Sequence, residues 1–219
     1  PSTFKNPHSM DSYPNLKAHL DIFKDVISSD NKPYGLHRAR VESFFVGEKI
    51  VALRKCVGKP VFAYANGENY MSATFYVIKT ERVNMKYLTG LLNSKLIEFW
   101  LKNKGKMQGA NYQLDKEPLQ QIPIAVPSKK VQEIIGKLVD IIILLSNTEN
   151  RASNLVQNSY ISSELETLID GCVYEIYFPQ EMQDIPVIPT LRDHVGHFNN
   201  INISDIWGLY KKIDSTGII

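Results

Sequence analysis

Apolar residues at Leu16, Leu20, Phe23 and Ile27 recur at helical spacing, so residues 16–28 read as an amphipathic helix. Pro33 and Gly35 break that pattern. The period then shortens. KIVAL (Lys49 to Leu53) is a β-branched run, and VFAYA and YMSATFYVIK lie on either side of Asn66-Gly67. Such a dipeptide supplies the positive φ angles of a tight turn, so a β-hairpin centred on Asn66 and Gly67 is expected. Residues 86–103 return to helix, with Leu88, Leu91, Leu92, Leu96, Phe99 and Trp100 as one stripe and Ser94, Lys95, Glu98 and Lys102 opposite. Glu98 and Lys102 stand in the favourable order for an i, i+4 ion pair. Gly105 follows as a left-handed stop. QIPIAVP (121–127) reads as a short edge strand, because Pro123 cannot donate to a central ladder.

After Ser128 the texture changes. Residues 129–147 form one long helix, apolar on most sides from Leu138 onward and therefore buried against other helices. A second helix covers 162–178, with Leu165, Leu168, Ile169, Cys172, Val173 and Ile176 as its stripe and a start at Ser162 or Ser163. Prolines 179, 186 and 189 indicate a mostly irregular tail with one short helix at SDIWGLYKKID. The fold class is α+β: a mixed domain of short strands with a β-hairpin over 1–128, a helical spacer or docking segment over 129–178, and a tail over 179–219.

Charge sharpens this division. Residues 1–128 hold 18 Lys+Arg against 11 Asp+Glu, whereas 129–219 hold 7 against 12. One half then suits a polyanion and the other does not. No apolar run approaches the roughly 20 residues of a membrane helix, and no signal-peptide pattern opens the chain. Cys56 and Cys172 lie far apart without a CxxC partner, which reads as a reduced pair in a cytoplasmic protein. Because the first residue is Pro1, the chain is expected to be part of a longer one.

Catalytic motifs are missing. There is no glycine-rich phosphate loop, GxSxG elbow or HExxH. His194 and His197 beside Asp193 lack a third metal ligand at a sensible spacing. SDNKPY (29–34) has Lys32 where the Asp/Asn-Pro-Pro-Tyr loop of amino-methyltransferases needs proline. No metal site and no catalytic residue is therefore assigned.

Binding chemistry is present instead. Between His37 and Lys59 stand Arg38, Arg40, Lys49, Arg54, Lys55 and Lys59; between Lys95 and Gln113 stand four lysines, Lys104 and Lys106 among them. Lysine and arginine neutralise phosphates. Amides and planar rings are interleaved: Asn66, Asn69 and Tyr70 by the expected hairpin, then Gln108, Asn111, Tyr112 and Gln113. Asparagine and glutamine pair with the major-groove edge of adenine, and arginine with that of guanine. For any one of these residues a solvating role is the simpler account. Two basic clusters with amides in the same half of the chain favour duplex DNA.

The succession YPNLKAHL, KPYGLHRAR, FFVGEKIVAL, FAYANGENYMSATFYVIK, KYLTGLLNSKLIEFWL, GANYQL and LQQIPIAVP resembles the TaqI-like C-terminal specificity domain over roughly residues 13–127. ELETLIDGCVYEIYF (Glu164 to Phe178) is similar to the helix that follows such domains. The resemblance implies a target-recognition module of type IIG restriction–modification enzymes and adenine-N6 DNA methyltransferases. It implies major-groove reading here and catalysis upstream. S-adenosylmethionine and Mg would then belong to upstream methyltransferase and nuclease domains of the same polypeptide, with no cofactor in this part. Base-reading residues do not carry over individually. Arg38, Arg40, Lys49 and Asn93-Ser94 match as framework, and Asn93, in mid-helix, is expected to bond a neighbouring loop. Gly35 departs from the aromatic residue usual before LHR, with Tyr34 as a substitute. The competing readings are a type I-style specificity subunit that recruits separate modification subunits, and a protein-interaction module.

Overall fold

The computed structural model describes residues 7–26, 34, 41–109, 111–196 and 201–218. Two compact units divide the chain at Gly47 and Glu48. In the first, α1 (Pro14–Asp21) has Pro14 in its first turn, where no N–H is needed. The expected helix over 16–28 is shorter: α-helix stops at Asp21, turns follow to residue 26, and 27 and 28 lie outside the described residues. No residue of α1 is buried, so its apolar stripe is not a core stripe.

The second unit begins with β1 (Lys49–Leu53), as the β-branched run predicts, and continues after Arg54 as β2 (Lys55–Val57). This single length of chain serves two sheets. β1 is the centre of a three-stranded antiparallel sheet between β3 (Phe62–Ala65) and β4 (Phe75–Ile78). At Arg54 the partners change: its N–H donates to the Thr74 carbonyl at 2.9 Å and its carbonyl accepts from Leu114 N–H at 2.9 Å. The chain then enters the second sheet, whose order is β2-β6-β5.

The hairpin expected at Asn66-Gly67 is corrected by this pairing. β3 and β4 do not pair with each other; both pair with β1, Lys49 opposite Ala65 and Leu53 opposite Phe75. Residues 66–74 therefore run the length of β1 rather than turning back. Gly67 does take a positive φ of 94°. The Lys49 amine donates to its carbonyl at 2.7 Å, which holds the start of the connection.

The helix expected over 86–103 is two. α2 (Met85–Asn93) ends at Ser94, whose ψ of 154° is extended, and α3 (Lys95–Lys104) begins there with the Ser94 hydroxyl as its cap. The break rotates the burial pattern. Ile97 and Leu101 face the core, whereas Phe99 of the expected stripe is 67% exposed. The Glu98–Lys102 pair forms at 2.6 Å. Asn93 bonds a strand and its own helix rather than the expected loop: its Oδ1 accepts from Phe62 N–H at 3.0 Å, and its Nδ2 donates to the carbonyls of Phe62 (2.7 Å) and Thr89 (2.9 Å). One side chain thus ties α2 to the outer edge of β3. Asn93→Ala should lower unfolding free energy by about 2 kcal/mol, since both polar groups of Phe62 lose a partner; an unchanged denaturation midpoint would contradict that tie.

β5 (Lys106–Gln108) and β6 (Asn111–Gln113) follow, then α4 (Lys116–Gln120). QIPIAVP, expected as an edge strand, pairs in no ladder; tyrosines hold it instead. Tyr87 donates to the Ala125 carbonyl at 2.8 Å. Tyr177 accepts from Ala125 N–H at 3.0 Å and donates to the Pro123 carbonyl. The long helix α5 (Lys129–Ser146) is as expected, with Leu138, Val139, Ile141 and Leu145 buried. α6 (Asn158–Tyr177) starts earlier than Ser162, after a turn in which Asn158 bonds Ala152 N–H and the Asn150 carbonyl.

The tail is less irregular than its prolines suggest. α7 (Val187–Val195) places Pro189 in the first turn, where proline costs no hydrogen bond, and Glu175 of α6 accepts from the N–H groups of Val187 and Ile188 at 2.8 Å each. α8 (Ile203–Asp214) covers the expected short helix. One hydrophobic cluster runs from Ile50 and Phe62 through α2, α5 and α6 to Ile213. The sheets and helices from Glu48 onward therefore share a core, which fixes the strands on a rigid support.

Asp170 of α6 joins that support to α3. Its Oδ1 accepts from Lys95 N–H at 2.7 Å, and Lys95 Nζ lies 3.7 Å from Oδ2. Burial holds the carboxyl above its ordinary value, against the opposing pull of the Lys95 amide and charge and of Lys59. A carboxyl whose folded pKa is the higher one contributes stability that is complete below the unfolded value and lost as pH rises through the folded value. Asp170→Asn keeps the acceptor and removes the titration. Its stability relative to wild type should therefore climb as pH rises from about 4; a pH-independent difference in melting temperature would contradict the buried carboxylate.

Candidate nucleic-acid interface

The second sheet gathers residues that lie about fifty positions apart. In register, Lys55, Gln113 and Lys106 form one cross-strand row, and Val57, Asn111 and Gln108 form the next. Residues directly opposite share a face, as do i and i+2, so Lys55, Val57, Lys106, Asn111 and Gln113 occupy one side of the sheet; the side chain of Gln108 lies outside what the structure describes. Lys55, Val57, Lys106 and Asn111 are exposed there and Gln113 is half-buried. Cys56 and Tyr112 take the other side. Burial follows the alternation: exposed, half-buried, exposed along β2, and exposed, buried, half-buried along β6.

Tyr112 is thereby corrected as a DNA contact. It is fully buried, and its hydroxyl donates to the Leu101 carbonyl at 2.6 Å. Its ring also explains Gly105, which is not left-handed: φ is −92° and ψ −176°. A Cβ there would meet the Tyr112 hydroxyl oxygen at 2.0 Å and the Leu101 carbonyl at 2.7 Å. Glycine ends α3 because nothing else fits above the tyrosine. Lys49 is likewise framework: it is buried against solvent, and desolvation pulls its amine below the ordinary lysine value.

The remaining candidates divide clearly. Lys104 is exposed on the last turn of α3, its amine 5.5 Å from the Trp100 ring centroid. It stands two residues before Lys106, the first residue of β5. Arg54 is exposed at the joint of the two sheets, its guanidinium 5.3 Å from the Tyr76 centroid. Gln113 donates to Asp115 at 2.8 Å, which fixes its amide. Asn66, Asn69 and Tyr70 are exposed, but on the connection over 66–74, in the other sheet. Arg38 and Arg40 lie outside the described residues. Val57 was not legible as a site residue from its type, yet it stands 80% exposed in the row of Asn111.

The dimensions suit a groove. Strands lie about 4.8 Å apart, so the outer two of this sheet are separated by about 10 Å. A B-DNA major groove is about 12 Å wide and admits a two-stranded ribbon, so a neighbouring pair of these strands fits inside it. Among the described residues, no group of three or more His, Cys, Asp or Glu could hold a metal ion.

The model of the TaqI-like C-terminal specificity domain matches residues 14–124, half of the chain. The chain belongs to this family. A TaqI-like specificity domain selects DNA sequence in restriction–modification and is not the catalytic part. No curated protein matches the chain. The match takes in the whole of both sheets, α2 and α3, and ends before α5. Among the described residues no helix is long and apolar enough to cross a membrane.

Proposed function

We propose that this specificity domain reads duplex DNA through the exposed face of β2-β6-β5, as the C-terminal part of a type IIG restriction–modification enzyme. The observation that carries the reading is the two-row face itself: amines at Lys55 and Lys106 flank Gln113, and an amide at Asn111 stands one row on. Lys104 and Arg54 are further exposed cations next to this row in the sequence. The amines hold phosphates and set register, while the amides select bases. An upstream methyltransferase domain of the same polypeptide would then flip and methylate adenine, with S-adenosylmethionine and Mg bound there. Such an enzyme would work beside the cell's own DNA, in the cytoplasm.

Asn111→Ala tests the assignment. Selection from a randomised duplex pool should give the wild-type preference except at one base pair, where discrimination falls by about 1–3 kcal/mol. Binding to unrelated duplexes should not change, because Asn111 is not a phosphate contact. A preference that keeps every position would remove β6 from the reading surface.

A further inference from the structure

We propose that Val57 is a specificity-determining residue that reads the C5 methyl group of a pyrimidine in the major groove. The inference rests on the DNA-reading assignment above and goes beyond it by naming the chemical group that is read.

A β-branched side chain at the end of a strand ordinarily packs against something. Val57 does not: it is 80% exposed, while Cys56 beside it turns inward and bonds toward the Tyr112 carbonyl. A lone exposed valine needs no explanation by itself. Its position provides one. Val57 lies directly opposite Asn111, with Gln108 opposite Asn111 on the far strand, so an apolar group and an amide sit side by side in one row. Cross-strand neighbours have Cα atoms about 5 Å apart. The major-groove edge of an A·T pair offers the same succession, N7 and N6 of adenine, then O4 and the C5 methyl of thymine. Asparagine suits the first pair of groups and an exposed branched alkyl chain the last. Lys55, two residues back on the same face, places an exposed amine in the adjacent row, where it can reach a phosphate while Val57 meets a base. Thymine and 5-methylcytosine present the same methyl group, and either satisfies the geometry.

The test uses the full chain and the duplex it selects from a random pool. Each thymine is replaced in turn by deoxyuridine, and each cytosine by 5-methylcytosine. Wild type should lose about fourfold in affinity at one deoxyuridine position, the worth of one buried methyl group; with a cytosine at that place, methylation should raise affinity by a similar factor. Val57→Ala should show neither response, and Val57→Ile should keep it. A loss at deoxyuridine assigns thymine, and a gain at 5-methylcytosine with no loss at any deoxyuridine assigns the modified base. Val57→Ala responding like wild type, or wild type indifferent to every C5 methyl while still selecting a sequence, overturns the proposal and leaves the DNA-reading assignment standing. A wild-type chain that selects no sequence overturns both.

Discussion

Gly105→Ala should destabilise the domain by about 3 kcal/mol, the largest effect of a Gly→Ala change among the described glycines of its recognition part. The added Cβ would lie 2.0 Å from the Tyr112 hydroxyl oxygen, 2.6 Å from the ring carbon that bears it, and 2.7 Å from the Leu101 carbonyl. None of these can retreat cheaply. The tyrosine is fully buried with its hydroxyl bonded to that same carbonyl, and the carbonyl belongs to helix α3. Tyr112→Phe alone should cost about 1 kcal/mol for the lost hydrogen bond. Combined with Gly105→Ala it should cost less than the two losses added, because removing the hydroxyl relieves the shortest of the three contacts. Denaturant unfolding of the four proteins measures this. Additive losses, or an unchanged midpoint for Gly105→Ala, would mean that the tyrosine does not roof the glycine. Because Tyr112 is the inward residue of β6, Gly105→Ala should also weaken binding to every duplex, by displacing the face that Lys106 and Asn111 share.

Changing Lys55 and Lys106 together to alanine should have the largest effect on binding. They occupy the two outer strands of the sheet in one row, on either side of Gln113. Each phosphate neutralised contributes about 0.9 to the slope of log affinity against log salt. Losing two should flatten that slope by about 1.8, on specific and unrelated duplexes alike, so that a fourfold rise in salt costs the variant about tenfold less affinity than wild type. The melting temperature should not fall, since both amines are exposed. A slope equal to that of wild type would take this row away from the phosphates. Lys49→Ala provides the contrast. That amine holds the Gly67 carbonyl, so its loss should appear as stability and not as salt dependence.

What was legible in the sequence follows the range of the interactions. α5 and α8 were readable because apolar periodicity over three turns or more is a local property. The two faces of residues 86–103 were less so, because the break at Ser94 restarts the period and moves Ile97 inward and Phe99 outward. A serine three residues before an apolar position is a helix start in sequence too, but a continuous leucine stripe outweighs it. The hairpin at Asn66-Gly67 failed for a different reason. Turn chemistry reports on a residue's own φ, and Gly67 has the positive φ it implies. It does not report which strand lies next door, and β1 takes that place on both sides.

The candidate site was legible residue by residue and not as a surface. Lys55, Lys106, Asn111 and Gln113 could be chosen for charge and hydrogen-bonding capacity. Their strands are three residues each, too short for an alternation to show above noise. Only the pairing of residues 55–57 with 111–113 reveals that the two basic clusters meet. The same pairing separates Tyr112 from its neighbours, since one residue's shift along a strand exchanges a groove-facing side chain for a core-facing one. Gly105 shows the converse: the stop signal was placed correctly and its cause was not, because a close approach by a residue seven positions later has no local signature.

Mass-spectrometric acetylation footprinting of the lysines, with and without duplex DNA of the selected sequence, tests the central claim most directly. Lys55, Lys104 and Lys106 are exposed in and beside the second sheet, while Lys129, Lys130, Lys211 and Lys212 are exposed on the helices of the other half. The face assigned to DNA predicts strong protection of the first three and unchanged reactivity of the other four. Protection of the helical lysines with Lys55 and Lys106 still fully reactive would contradict it.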